Sequence, residues 1–241
     1  DNGQGLQIID VSNPAYPWRR GSYGTPADAR KVLVAGSQAF VSDGDYGLQI
    51  IDVSNPVSPI RRGGYDTPGS ASDTVVAGNL AFVADGDSGL QIIDVSNPAS
   101  PVRRGGYDTP GSARGVAVAG SRAYVGDGYS GLQIIDISNP ANPQWLGWYD
   151  TPGQAEDIAL AGNLAYIADG DRGLQIIDIT DPTQLWRRGG YDTPGLARAV
   201  TKIGNLIYIA DGGSGLQIID VSNPASPVRR GGYDTPNAAL D

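Results

Sequence analysis

The string Gly-Leu-Gln-Ile-Ile-Asp starts at Gly5, Gly47, Gly89, Gly131, Gly173 and Gly215, a spacing of 42 residues with no insertion or deletion. A second marker keeps step with it: Tyr23, Tyr65, Tyr107, Tyr149, Tyr191 and Tyr233, each followed two residues later by Thr-Pro. A strict period of this length restricts the chain to an array of one supersecondary unit, in which each unit buries its apolar face on its neighbours. Gly89–Pro110 and Gly215–Pro236 are identical. Such identity fits recent duplication, so sameness between units is not in itself a mark of function.

One period, read in chain order across the boundary between the third and fourth units, shows what each contains. Four short apolar segments, Val102–Tyr107, Ala113–Ala119, Ala123–Val125 and Leu132–Ile137, lie between clusters of Gly, Pro, Asn and Asp. They are rich in Val, Ile and Tyr, which reads as strand. With 35 Gly and 17 Pro among 241 residues, no window is left for a helix of useful length. Asp127-Gly128 and Ala119-Gly120-Ser121 read as hairpin turns, and in Ser138-Asn139-Pro140 either Asp136 or Asn139 can cap a free N–H. Leu132–Ile137 is apolar on both faces apart from Gln133, as suits a strand sandwiched between neighbouring sheets. Four strands per 42 residues predict an all-β fold, a β-propeller of four-stranded blades. There are six blade positions, five of them complete and one, where the first and last parts of the chain would join, incomplete, in a single domain over residues 1–241. The Gln of each third strand, Gln7, Gln49, Gln91, Gln133, Gln175 and Gln217, is expected to satisfy backbone groups between blades.

At Gly89 and Leu90-Gln91-Ile92-Ile93-Asp94, followed by Val95-Ser96-Asn97-Pro98, the chain resembles the LVIVD-repeat family of β-propellers. Gln91 and Ile93 stand where that family's name has valine. The resemblance extends over all six units. It implies the propeller fold and an exported or cell-surface protein of bacterial or archaeal type; it implies no activity.

Strands are lettered A to D within a blade, with A after the Thr-Pro-Gly loop and D carrying Arg-Arg-Gly-Gly-Tyr. The chain opens inside a B–C turn, and six full periods exceed its length by eleven residues, equivalent to Thr74–Ala84. The expectation is a segment of a longer chain, with a ring closed by a thin sixth blade as the alternative. Either way the incomplete blade invites self-association.

Composition excludes several function classes. Cys and His are both absent, which removes thiol chemistry, Cys–zinc sites and the commonest general base. A net charge of −9 argues against nucleic acid and anionic lipid as partners. No apolar run is long enough to span a membrane.

In a blade the B–C and D–A turns share one face, here the top. Acidic residues concentrate there, with Asp43, Asp85, Asp127, Asp169 and Asp211 opening the B–C turns, while Arg pairs such as Arg61–Arg62 and Arg103–Arg104 mark strand D. The Asp-Gly-Asp turns raise a calcium reading, but two carboxylates supply too few of the six to eight oxygens that calcium takes. They are read as turn formers, so no cofactor is expected. The Arg pairs are read as a solvated edge and Trp18, Trp145, Trp148 and Trp186 as flank packing or stacking platforms.

Two columns vary against near-identical surroundings at the start of strand A. One holds Arg30, Ser72, Arg114, Glu156, Arg198 and Leu240; the next holds Lys31, Asp73, Gly115, Asp157, Ala199 and Asp241. These should rim the channel top, and Arg30, Lys31, Asp73, Arg114, Glu156, Asp157, Arg198 and Asp241 are the candidate ligand-binding residues. The leading expectation is a non-enzymatic binding or scaffold module for a protein ligand. A multivalent carbohydrate binder is the alternative. A metal-dependent hydrolase or lactonase comes third, requiring Asp73, Glu156, Asp157 and Asp241 to converge on one ion.

Overall fold

Each period folds as its turn residues dictate. The computed structural model describes residues 5–240; Asp1 and Asp241 lie outside them. The chain divides into two compact units, Asp1–Asp108 and Thr109–Asp241. All regular structure among the described residues is strand.

The first unit holds a pair, β1 (Leu6–Asp10) and β2 (Trp18–Tyr23), and two four-stranded antiparallel sheets. One sheet runs β3 (Lys31–Ala35), β4 (Gln38–Ser42), β5 (Leu48–Asp52) and β6 (Ile60–Tyr65). The other runs β7 (Asp73–Ala77), β8 (Leu80–Ala84), β9 (Leu90–Asp94) and β10 (Val102–Tyr107). The second unit holds three such sheets, β11 (Gly115–Ala119) to β14 (Gln144–Tyr149) by way of β12 (Arg122–Gly126) and β13 (Leu132–Asp136); β15 (Asp157–Ala161), β16 (Leu164–Ala168), β17 (Leu174–Asp178) and β18 (Trp186–Tyr191); and β19 (Ala199–Ile203), β20 (Leu206–Ala210), β21 (Leu216–Asp220) and β22 (Val228–Tyr233). The four-strand meander is the expected propeller blade.

The strand assignments hold with shifted ends. Strand A starts at Gly115, not at Ala113, because the alanine of that column is used otherwise: Ala155 and Ala197 form isolated bridges to Gly128 and Gly170 in the preceding sheet. In the B–C turns glycine is required twice, as at Gly86 and Gly89, whose φ values are 56° and 66°.

Strand D carries a feature that spacing did not reveal. Ile51 lies opposite Arg61 and Ile50 opposite Gly63, so Arg62 is an extra, unpaired residue: a β-bulge. The same register shift recurs in β1–β2, β9–β10, β13–β14, β17–β18 and β21–β22.

Neighbouring sheets within a unit pack face to face. Tyr166, Ala168, Leu174 and Ile176 meet Val200, Ile207, Ile209, Ile219 and Val221 in the second unit. In the first, Phe40, Leu48 and Ile50 meet Ala71, Ala81, Val83, Ile93 and Val95. The third strand is buried on both faces, as its unbroken apolar run requires: Leu48, Ile50 and Ile51 are fully covered. Each such side chain contributes about 1.5–3 kcal/mol.

One backbone contact sets the spacing of the sheets. A Cβ built on Gly63 would lie 2.2 Å from the Pro98 carbonyl oxygen of the next sheet, and one on Gly189 would lie 2.1 Å from that of Pro224. No side chain fits there, so strand D and the following Asn-Pro loop meet main chain to main chain.

Candidate functional site

The first strands of successive sheets lie side by side, β3 by β7 in one unit and β11 by β15 by β19 in the other. Residues one period apart therefore become neighbours. This brings the candidate residues together in register. Arg114 donates from Nη1 to both Glu156 oxygens at 3.0 Å, and Arg198 Nη1 reaches Glu156 Oε1 at 3.4 Å. Glu156 is thus held between two arginines. Its side chain is 9% exposed, whereas those of Arg114 and Arg198 are 35% and 37% exposed. At this edge the arginine side chains are more exposed than the glutamate they hold.

The next column is more deeply set. Asp157 is buried and accepts from the Val200 N–H at 2.9 Å. In the first unit, Lys31 Nζ donates to Asp73 Oδ2 at 3.1 Å, while Asp73 Oδ1 accepts the Thr74 N–H at 2.7 Å. Arg30 donates to the Ser72 hydroxyl at 3.0 Å. Seven of the eight candidate residues therefore lie along first-strand edges of the two units; Asp241 lies outside the described residues. Glu156 and Asp157, adjacent in sequence, serve different partners. Among the described residues no group of three or more acidic side chains gathers so as to hold a metal ion.

The B–C turns are not the exposed acidic face that a residue count suggests. Their leading aspartates, Asp43, Asp85, Asp127, Asp169 and Asp211, are fully buried. Asp85 accepts from the Thr67 hydroxyl and from the Gly69 N–H, so it staples its own hairpin to the loop between strands D and A. Thr109 and Gly111 hold Asp127 in the same way, and Thr193 and Gly195 hold Asp211. In the Asp-Gly-Asp turns the second carboxylate, as in Asp45, Asp87 and Asp171, stays exposed while the first turns inward. Burial pushes the carboxyls of Asp85 and Asp211 above their ordinary value and that of Asp169 up to about 6. Asp169 Oδ1 and the neighbouring Thr151 hydroxyl are buried without a hydrogen-bond partner.

The outer strand is built on the bulge. The first Arg of each pair and the Gln of the neighbouring third strand interact: Arg61 Nε donates to Gln49 Oε1 at 2.7 Å, and Gln49 Nε2 donates to the Tyr46 carbonyl at 2.9 Å. Gln49, Gln91, Gln133, Gln175 and Gln217 thus satisfy backbone carbonyls of their own B–C turns, not groups between blades, because their side chains lie beside strand D. The second Arg reaches an aspartate, as Arg62 does to Asp52 and Arg104 to Asp94, both at 2.6 Å. Hydrogen bonds from Ser54 and Arg62 hold Asp52 at about 2, and bonds from Ser96 and Arg104 do the same for Asp94. Both expected caps form on the β13–β14 loop, from Ser138 N–H to Asp136 and from Ala141 N–H to Asn139.

The indoles are not packed away. Trp18, Trp145, Trp148 and Trp186 are 46–56% exposed. Trp145 replaces the first Arg and donates to Gln133 Oε1 at 3.1 Å, while Trp148 stands where the neighbouring repeat has Gly190. Arg188 lies over the Trp186 ring at 4.9 Å.

Solved structures share this fold at low identity. A functionally unknown protein from Desulfotomaculum acetoxidans DSM 771 superposes with a TM-score of 0.74 and 13% identity, over 92% of this chain and 76% of that one. The computationally designed Ika8 protein gives 0.66 and 10% identity; the match takes in 92% of this chain and spans only 66% of the designed one. The sequence matches no curated protein. The model of the LVIVD repeat matches residues 1–25, 26–67, 68–109, 110–151, 152–193 and 194–235. Matched along nearly its whole length, the chain belongs to the LVIVD repeat family, and its repeats are β-propeller blades.

Proposed function

We propose that the chain is a non-enzymatic binding module, exported from the cell, which takes an acidic segment of a protein ligand on the edge formed by Arg114, Glu156 and Arg198. The observation that carries the reading is the exposure pattern. Glu156 is covered between the two arginines, which stay partly exposed, so the charged side chains offered to a ligand at this edge are cationic. The whole chain carries −9, but fields from charges farther than about 8 Å are screened at physiological salt, so the local charge decides. Guanidinium groups bind carboxylates in paired geometry. The position of these residues supports the reading further: they are substitutions in a scaffold that otherwise repeats, which is where a duplicated array acquires a ligand. Export rests on the character of the family alone.

The test is a peptide array of acidic, neutral and basic segments probed with wild type and with the Arg114→Ala/Arg198→Ala double variant. Retention of acidic peptides by wild type and its loss in the variant are expected. No acidic preference, or equal binding by the variant, would overturn the reading.

A second reading, carbohydrate binding, is favoured by Trp145 and Trp148 on β14, since exposed indoles form stacking platforms for sugar rings. Trp148→Gly restores the residue of other repeats and keeps the fold; it should abolish any glycan-array signal that wild type gives.

A further inference from the structure

The sheet β19–β22 has a face that lacks what the same face has in the preceding sheet. On β15–β18, Tyr166, Leu174 and Ile176 are buried by the next sheet. The equivalent Tyr208, Leu216 and Ile218 are only half-buried. Tyr233 is 68% exposed, whereas its equivalent Tyr191 packs against the core. A Cβ on Gly231 meets nothing within 4 Å, although its equivalents Gly21, Gly63, Gly147 and Gly189 are all covered by a proline carbonyl.

The complementary half of this contact is exposed on β1–β2. Ile9 and Val11 are 47% and 65% exposed, whereas the equivalent Ile219 and Val221 are 0% and 4% exposed beneath the preceding sheet. Pro14, equivalent to Pro224, is exposed. Its loop is already in the docking conformation. Ser12 N–H bonds to Asp10 and Ala15 N–H to Asn13 at 2.9 and 3.2 Å, matching Ser222 to Asp220 and Ala225 to Asn223 at 2.8 and 3.3 Å. The bulge between Ile8 and Ile9 also matches that between Ile218 and Ile219.

We propose that the outer face of β19–β22 docks the β1–β2 pair of a second copy of this chain, with the Pro14 carbonyl seated on Gly231 and Ile9 and Val11 laid against Leu216 and Ile218. The occupant follows from continuity with an interface that the chain already forms inside each unit, between the same residue types in the same loop geometry. The contact is heterologous: the face used by one copy differs from the face used by its partner, so growth continues past the dimer unless the copies close into a ring.

Two variants separate the faces. Gly231→Ala has room in the isolated chain, but the added Cβ would strike the incoming Pro14 carbonyl, as it would at Gly189, where that distance is 2.1 Å. Ile9→Asp/Val11→Asp charges the other face at positions that are already exposed. Sedimentation velocity from micromolar to millimolar chain should show wild type growing beyond the dimer. Each variant alone should remain monomeric with an unchanged melting temperature. Their equimolar mixture, which restores one intact face of each kind, should give a dimer and nothing larger. A monomeric wild type at every concentration would overturn the proposal. So would association of the Gly231→Ala variant by itself, a dimer of the Ile9→Asp/Val11→Asp variant by itself, or a mixture that stays monomeric.

Discussion

Replacing Asp169 by Asn isolates the cost of burying a carboxylate in a B–C turn. Asp169 is fully buried, with one oxygen bonded to the Gly153 N–H at 3.0 Å and the other without a partner. Burial, opposed by the Gly153 N–H, raises its carboxyl from 3.8 to about 6. That difference corresponds to about 3 kcal/mol, a large share of a typical domain's stability. The folded state holds the proton more tightly than the unfolded chain. The stabilisation that this confers is complete below pH 3.8 and is lost as pH rises through about 6. Asn is neutral throughout and keeps an oxygen for the Gly153 N–H. Relative to wild type, Asp169→Asn should therefore gain about 3 kcal/mol between about pH 3.5 and pH 7. Asp52, Asp94 and Asp220, held at about 2, shift stability in the opposite sense below pH 3.8. They are common to both proteins and cancel in the difference. Urea unfolding at a series of pH values measures it. A difference that stays flat with pH, or one that moves against Asn as pH rises, would show that the carboxylate is solvated or fully paired and that the burial argument fails.

Other substitutions test the remaining contacts. Gly63→Ala should cost about 1–3 kcal/mol by forcing sheets apart at the Pro98 carbonyl, whereas Gly231→Ala should leave the thermal midpoint of the monomer unchanged. Ile134→Ala, in a fully buried position of β13, should cost about 2–5 kcal/mol in denaturant unfolding. Glu156→Gln leaves Arg114 and Arg198 facing each other without their shared carboxylate and should cost about 1–3 kcal/mol, with most of the loss at low salt. Millimolar calcium should move the melting temperature little, and EDTA should have no effect; a large rise reversed by EDTA would give the Asp-Gly-Asp turns a metal role.

The period, the number of strands and the doubly buried third strand were legible because each follows from one local pattern: Gly and Pro punctuation, short Val- and Ile-rich runs, and the unbroken Leu-Gln-Ile-Ile-Asp. The roles of Arg61 and Arg62 were not. Alternation puts the two on opposite faces, but the bulge, which adds a residue to β6 without any marker in the sequence, shifts the register between β5 and β6, so the partners Gln49 for Arg61 and Asp52 for Arg62 cannot be read by counting. The inward stapling of these aspartates was not legible from their turns alone, because a turn composition of Asp and Gly is the same whether the carboxylate points outward or back to a Thr 18 residues earlier. A signal was present: the aspartate and the Thr of Thr-Pro keep a fixed offset in every period. The Arg114–Glu156–Arg198 arrangement could also have been found, since opposite charges one period apart in the innermost strand must become neighbours.

The glycine-to-carbonyl contact between sheets has a consequence for how such a chain can change over time. Packing that depends on shape-matched side chains ties each module to one particular neighbour, and shuffling modules breaks the match. Here the closest approach is between main-chain atoms, at Gly63 and Pro98 as at Gly189 and Pro224, and it is blind to what the rest of each module carries. Modules are therefore interchangeable parts. Unequal recombination that inserts or deletes a whole 42-residue length of coding sequence joins any module to any other without a new interface to evolve. Copies as alike as Gly89–Pro110 and Gly215–Pro236 are then a viable state of the lineage, from which individual positions diverge one at a time.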